Sequence, residues 1–277
     1  MLKNYACLDY DGQVQQTHYR FSGSGAPLIL LHPSPLSSAF MAPLIKLFEG
    51  LATVLAPDTP GYGASDPLPE PGEDLSAYVD WLRRFLQSQD LSSAGIYGSA
   101  TGAQIAIQFA RTYPEMADYI VLDNAVHFTD AERQRIMKDY FPDMTPRSDG
   151  SHFQLAWDMS SKLYQYFPWF DQSDDCKVSD ASPPVELVHG TAMSYLVAGT
   201  DYDRAYRAAF NNEDARNVQA ITKPTRILRW QGSILRRYAD RLDDFEWPDH
   251  IRMVHCEASI EARYEALTNI IAELATN

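Results

Sequence analysis

Three short loops hold most of the residue types that could do chemistry in this chain. Leu30-Leu31-His32-Pro33-Ser34-Pro35 closes one apolar run, and the segment APDTPGYGASD at 56–66 closes a second. A third run ends in Tyr97-Gly98-Ser99-Ala100-Thr101-Gly102-Ala103-Gln104. Each loop follows a run that reads as a buried strand, so each lies at a strand's carboxyl end, where ligands bind in open parallel sheets. The third loop also opens a helix-period segment, and amides at a helix N-terminus hold anions and developing oxyanions. Its centre is Ala100, which has no polar side-chain atom. Two further strand ends carry titratable groups: Asp123 in Val121-Leu122-Asp123-Asn124, and His255 with Glu257 in His255-Cys256-Glu257. The histidines at 18, 32, 127, 152, 189, 250 and 255 have no spacing that a helix or hairpin would bring together, so no metal site is predicted.

The elements that must position these loops are legible in the hydrophobic pattern. Residues 5–22 alternate around Asp11-Gly12 and predict a hairpin. Continuous apolar runs at 27–32, 52–56, 94–97, 119–122, 225–230 and 251–255 predict strands buried on both faces. Helix-period segments at 39–48, 75–87, 101–111 and 260–274 fall between them. Alternation of this kind predicts an α/β fold with a mostly parallel eight-stranded sheet flanked by helices. The rhythm breaks between 127 and 222, where polar helical pieces and aromatic stretches such as 164–170 (YQYFPWF) replace buried strands. A structureless loop of that length is improbable in a compact domain, so the segment reads as an inserted helical subdomain. The division is then a core of residues 1–126 and 223–277 and a helical lid of residues 127–222.

The three loops, in this order and spacing, resemble the α/β-hydrolase family over nearly the whole chain. In that family the nucleophile stands at the centre of a strained Gly-x-Ser-x-Gly turn between strand and helix. Gly98 and Gly102 fill the glycine places here, Ala100 fills the serine place, and Ser99 is out of register. The resemblance implies an oxyanion hole made by the backbone N–H groups of Thr101 and Ser34. Pro33, which lacks an N–H, replaces the usual glycine without removing either donor. The family's common acid position after the seventh strand reads Trp230-Gln231-Gly232-Ser233, with no carboxylate. Asp123, one strand earlier, is the candidate acid, or else a strand-end cap. His255 is the candidate base, or else a strand residue, and Glu257 is an alternative to it. Cys256 has no neighbour in the sequence that would activate it as a nucleophile. The catalytic candidates are therefore Ala100 as the altered nucleophile position, Asp123 and His255.

A pocket between the sheet's carboxyl edge and the lid would be lined by His32, His127, His152, Trp157 and Trp169. Tyr164, Phe167 and Tyr195 are further contributors, although each of these residues has lid-core packing as its other reading. Aromatic density predicts a small apolar or aromatic substrate, with no cofactor. The first functional reading is an enzyme acting on a small carbonyl or ester compound without a serine nucleophile, by general-base, lyase or cyclase-type chemistry. The second is a serine esterase or carbon–carbon hydrolase carrying Ser→Ala at position 100. The third is a binding protein that catalyses nothing. A net charge of −14 over 277 residues would be repelled by nucleic acid and by anionic membranes, so neither is a predicted partner. Exposed lid aromatics could equally serve a homodimer contact. Three scattered cysteines, Cys7, Cys176 and Cys256, form no disulfide framework, and with no apolar leader the expected location is cytoplasmic.

Overall fold

The computed structural model describes residues 1–276. Strands β1 (Leu2–Tyr10) and β2 (Gln13–Ser22) form an antiparallel hairpin around Asp11 and Gly12, both at positive φ. They are followed by β3 (Pro27–Leu31), β4 (Thr53–Pro57), β5 (Ala94–Ser99), β6 (Ala117–Asp123), β7 (Thr225–Trp230) and β8 (Ile251–Cys256). The eight strands form one sheet in the order β1-β2-β4-β3-β5-β6-β7-β8. β2 meets β4 antiparallel, and every pairing from β4 to β8 is parallel. The reversal of strand order between β3 and β5 opens a crevice at their carboxyl ends, and the loop after β5 runs into it.

The sheet is buried on both faces because helices cover both. Leu28 and Leu30 of β3 pack in one core with Phe48, Ile270 and Ile271, which belong to α1 (Ala42–Phe48) and the C-terminal α10 (Ile260–Ala275). Ile29 and Leu31, pointing the other way, join Trp81, Phe85 and Ile105 of α2 (Ser76–Ser88) and α3 (Thr101–Thr112). Burying a leucine side chain in this way contributes about 1.5–3 kcal/mol, which is why β3 reads as an unbroken apolar run.

Between β6 and β7 the chain makes α4 (Asp130–Asp139), α5 (Ser151–Leu163), α6 (Val185–Ala198), α7 (Arg204–Asn212) and α8 (Ala215–Gln219). A short α9 (Arg236–Ala239) follows β7. Thr129 and Glu132 close α4 with a reciprocal capping box, and Glu132 also pairs with Arg241 at 2.8 Å. Arg133 donates to the carbonyls of Asn211 and Glu213, which ties α4 to the end of α7. The insertion has its own aromatic core around Tyr140, Phe167 and Phe210, and this core reaches Ala100. No helix among the described residues is long and apolar enough to cross a membrane.

Candidate functional site

The turn from β5 to α3 is the best-defined feature of the sheet's carboxyl edge. Ala100 sits at φ 48° and ψ −112°, a left-handed backbone that a residue with a Cβ adopts only when its surroundings impose it. Those surroundings are backbone. A Cβ on Gly102 would collide with the Leu31 carbonyl, and one on Gly98 would collide with the Gly102 carbonyl. The amide of Ala100 donates to the Asp123 carbonyl at 3.0 Å and fixes the turn against β6. The methyl of Ala100 therefore stands at the start of α3, next to first-turn amides that have no partner within the helix. Ser99 faces elsewhere: it is buried and accepts from Asn124 Nδ2 at 3.2 Å.

Above this turn lies a cavity of about 30 Å³, lined by Ala100, Thr101, Phe128, Phe167, Tyr206 and Glu213, among others. That space holds a water molecule or two, so a larger ligand has to displace aromatic side chains of the insertion. Of the residues singled out in the sequence, Ala100, Thr101 and Phe167 meet here.

The others are drawn into different contacts. His32 is buried, with Nδ1–H donating to the Pro33 carbonyl at 3.0 Å and Nε2 accepting from Thr59 N at 2.9 Å. Burial holds its pKa below the usual imidazole value, so it is a neutral clamp between the loops after β3 and β4. Ser34 is buried in the β3 loop and does not line the cavity. His127 Nδ1 accepts from Ala215 N at 3.3 Å while its ring packs edge-on against Phe245. His152 Nδ1 accepts from Arg147 N at 3.1 Å, inside the first turn of α5. Trp157 is exposed on α5, and Trp169 donates to the Tyr140 carbonyl at 3.1 Å within the aromatic core. Tyr164 bonds Thr191, and Tyr195 is buried against Tyr202.

The expected acid and base do not meet. Asp123 is fully buried, and its Oδ2 accepts from Arg263 Nη2 at 2.5 Å and from Tyr97 at 2.7 Å. The carboxylate thus turns toward α10, where Arg263 takes it up. The Asp123 carboxylate, with Tyr97, holds the Arg263 guanidinium above its ordinary pKa despite burial. His255 lies near the carboxyl end of the edge strand β8, on the same face as Ile251 and Met253 but exposed where they are covered. Its side chain is 60% exposed, with Nε2 3.8 Å from Asp243. Glu257 is exposed in the following loop, and burial pushes the Cys256 thiol up, away from the thiolate that a nucleophile needs. At the common acid position, Ser233 donates to Asn124 Oδ1 at 2.5 Å and completes a neutral Ser99–Asn124–Ser233 chain.

Glu213 is the titratable carboxyl that the sequence did not flag. It lies between α7 and α8, is 4% exposed, and lines the cavity with Ala100 and Thr101. Gln104 Nε2 donates to its Oε2 at 2.5 Å and Val126 N donates to the same oxygen at 3.2 Å. Burial pushes its pKa well above the usual carboxylate range, more than these donors and the Arg133 charge lower it. Nothing in the Asn-Asn-Glu-Asp run around it marks a motif; the only signal was a carboxylate closing an amphipathic helix. Among the described residues, no group of three or more His, Cys, Asp or Glu side chains could hold a metal ion.

A strained strand-to-helix elbow, at the carboxyl edge of a mostly parallel eight-stranded sheet covered by helices, defines the α/β-hydrolase class. The chain belongs to this family: residues 26–234 match the alpha/beta hydrolase fold. It is similar to the (E)-2-((N-methylformamido)methylene)succinate hydrolase of Acinetobacter baylyi, 28% identical over 193 residues, or 69% of this chain and 65% of that protein. An uncharacterized protein of Mycobacterium tuberculosis is 32% identical over 107 residues. There the match takes 39% of this chain and spans only 31% of the relative's length. In three dimensions the chain is similar to a carboxylesterase of Nitrososphaera gargenis, with a TM-score of 0.72 at 16% identity, covering 98% of this chain and 99% of that one.

Proposed function

We propose that this protein is an enzyme that processes a small, mostly apolar carbonyl or ester compound in the cavity above Ala100, without an acyl-enzyme at that residue. The observation that carries the reading is the elbow itself. Its strained φ of 48°, its glycine packing and its anchor on β6 are all in place, with a methyl where the attacking oxygen would stand. A methyl group cannot attack a carbonyl, so water is the nucleophile in a hydrolytic reaction. The Thr101 amide, at the start of α3, would polarise the substrate's carbonyl oxygen and stabilise the oxyanion that forms. The insertion acts as the lid, contributing Phe167, Tyr206 and Phe210 as the apolar wall and keeping bulk water from the reacting centre. The hydrolase activity of the Acinetobacter relative supports hydrolysis of a small compound as the reaction type. The masked serine-hydrolase reading is less well supported, because Asp123 is committed to Arg263 and His255 is turned to Asp243.

The test is turnover of p-nitrophenyl butyrate by the native chain and by Ala209→Phe, which fills the cavity from α7. The reading expects turnover in the native chain, lost in the filled variant while circular dichroism is unchanged. Equal turnover in both would place the chemistry outside this cavity.

A further inference from the structure

We infer that Glu213 is the acid–base residue of the cavity, delivering a proton to an oxygen of the bound carbonyl compound and recovering one from the attacking water. The inference rests on the functional reading above and supplies the proton carrier that reading lacks.

The geometry comes first. Glu213, on the insertion, lines the same cavity as Ala100 and Thr101, which belong to the sheet's edge. Both of its hydrogen-bond donors, Gln104 Nε2 and Val126 N, converge on Oε2, which leaves Oε1 for the cavity. Gln104 is itself held in place, since its Oε1 accepts from Asn212 Nδ2 at 2.9 Å. The carboxyl is therefore oriented from two sides, by α3 and by the strand-end loop after β6, with the end of α7 fixing Gln104. A carboxyl held like this keeps one oxygen fixed and one free, which is the arrangement that proton transfer to a ligand needs. The remaining cavity wall is apolar apart from Thr101 and the Tyr206 hydroxyl, which is engaged with Tyr140 at 3.1 Å.

The groups that face Glu213 set its charge. Arg133 on α4 favours the carboxylate, and it donates to the Glu213 carbonyl at 3.0 Å. Gln104 on α3 and the Val126 amide also favour the charged form. Burial outweighs them, and the group is neutral well above the pH at which an exposed glutamate ionises. A neutral carboxyl is an acid, so the first transfer runs from Glu213 to substrate.

For an ester, water adds to the carbonyl carbon while the Thr101 amide holds the oxygen. The bond to the alkoxy oxygen then breaks, and that oxygen leaves with the Glu213 proton as the alcohol. The protonated carboxylic product gives its extra proton to the Glu213 carboxylate. One ester and one water become one acid and one alcohol, and Glu213 returns to its starting form.

Glu213→Gln is the informative variant, because its amide oxygen can still accept from Gln104 and Val126 while it has no acidic proton. With ethyl butyrate, whose alkoxide leaves only with a proton, kcat should fall by about 100-fold or more with KM nearly unchanged. The native pH profile of kcat should fall as pH rises through the raised carboxyl pKa, and this limb should be absent in the variant. A second readout needs no turnover: the infrared C=O stretch of the neutral Glu213 carboxyl should shift to lower frequency when acetophenone binds and accepts its O–H. That shift should disappear in Glu213→Gln. Equal turnover, or an equal carbonyl shift, in the native chain and Glu213→Gln overturns the inference and leaves the functional reading standing. A native chain that neither turns over the ester nor binds acetophenone overturns both. If Glu213→Gln fails to fold, the native pH profile decides alone, and a profile without the descending limb overturns the inference.

Discussion

The carboxyl edge of the sheet has two halves built on different principles. On the β3–β5 side the elbow is held by backbone geometry: a left-handed Ala100, two glycines packed against carbonyls, and an amide anchored on β6. On the β6–β8 side everything is side-chain pairing. Asp123 is bound to Arg263 and Tyr97, and Arg229 is bound to Asp240 and Asp243. The first half still has the shape of a hydrolase elbow, while the second is an ion-pair scaffold that braces β6, β7 and α10. The difference teaches that elbow geometry is held by close backbone packing, whatever side chain stands at its centre. A catalytic acid and base depend on their side chains alone, so those places are free to be refilled by stabilising contacts. Chemistry then has to come from elsewhere, and the insertion supplies Glu213.

The largest effect should come from the scaffold half. Arg263→Met leaves the Asp123 carboxylate buried without its cation, and breaking a buried pair of this kind costs about 3–5 kcal/mol. Urea denaturation measures it; a loss below about 1 kcal/mol would mean that Asp123 is not held by Arg263. In the elbow half, Gly102→Ala forces a methyl into the Leu31 carbonyl and should cost about 1–3 kcal/mol by the same assay. A neutral result there would show that the elbow does not depend on its glycine packing.

The pH dependence sets the insertion apart from the ion-paired half, because its buried carboxyl is held neutral. Glu213 has a folded pKa raised above its unfolded value of about 4.5. The stability this contributes is fully present below the unfolded pKa and is lost as pH rises toward the folded one. Each unit of pH across that window costs up to about 1.4 kcal/mol. The melting temperature of the native chain should therefore fall relative to Glu213→Gln as pH rises from about 5 to 8. A constant difference across that range would mean that Glu213 is ionised in the folded chain. The smallest effect belongs to His255→Ala, which removes an exposed ring and should change stability by less than about 0.5 kcal/mol and turnover not at all. A large loss of turnover would restore His255 to the active site.

What the sequence revealed follows from which signals are local. The β3 run Pro27–Leu31 and the Gly98–Gly102 spacing are fixed by burial and backbone sterics, and both read directly from residue types. The direction in which Asp123 points could not be read, because its partner Arg263 lies 140 residues away on α10. His255 shares its strand face with the buried Ile251, so alternation alone would have put it in the core, and only the lack of cover at the end of the edge strand exposes it. His152 and Trp169 had the right chemistry for a pocket, yet each is used inside the insertion, at Arg147 N and the Tyr140 carbonyl. Glu213 was invisible for the converse reason. Its environment is assembled from α3, α7 and the loop after β6, and no stretch of sequence contains it.

The central claim is that the elbow persists without the acid–base pair that a serine nucleophile would need. Ala100→Ser tests it most directly, by intact-protein mass spectrometry after exposure to p-nitrophenyl butyrate. The account predicts a folded protein with no butyryl adduct, because none of the described histidines lines the cavity and the carboxyl that does, Glu213, is neutral and cannot deprotonate the new hydroxyl. A stoichiometric adduct on residue 100 would contradict it and show that a working base lies within reach of the elbow.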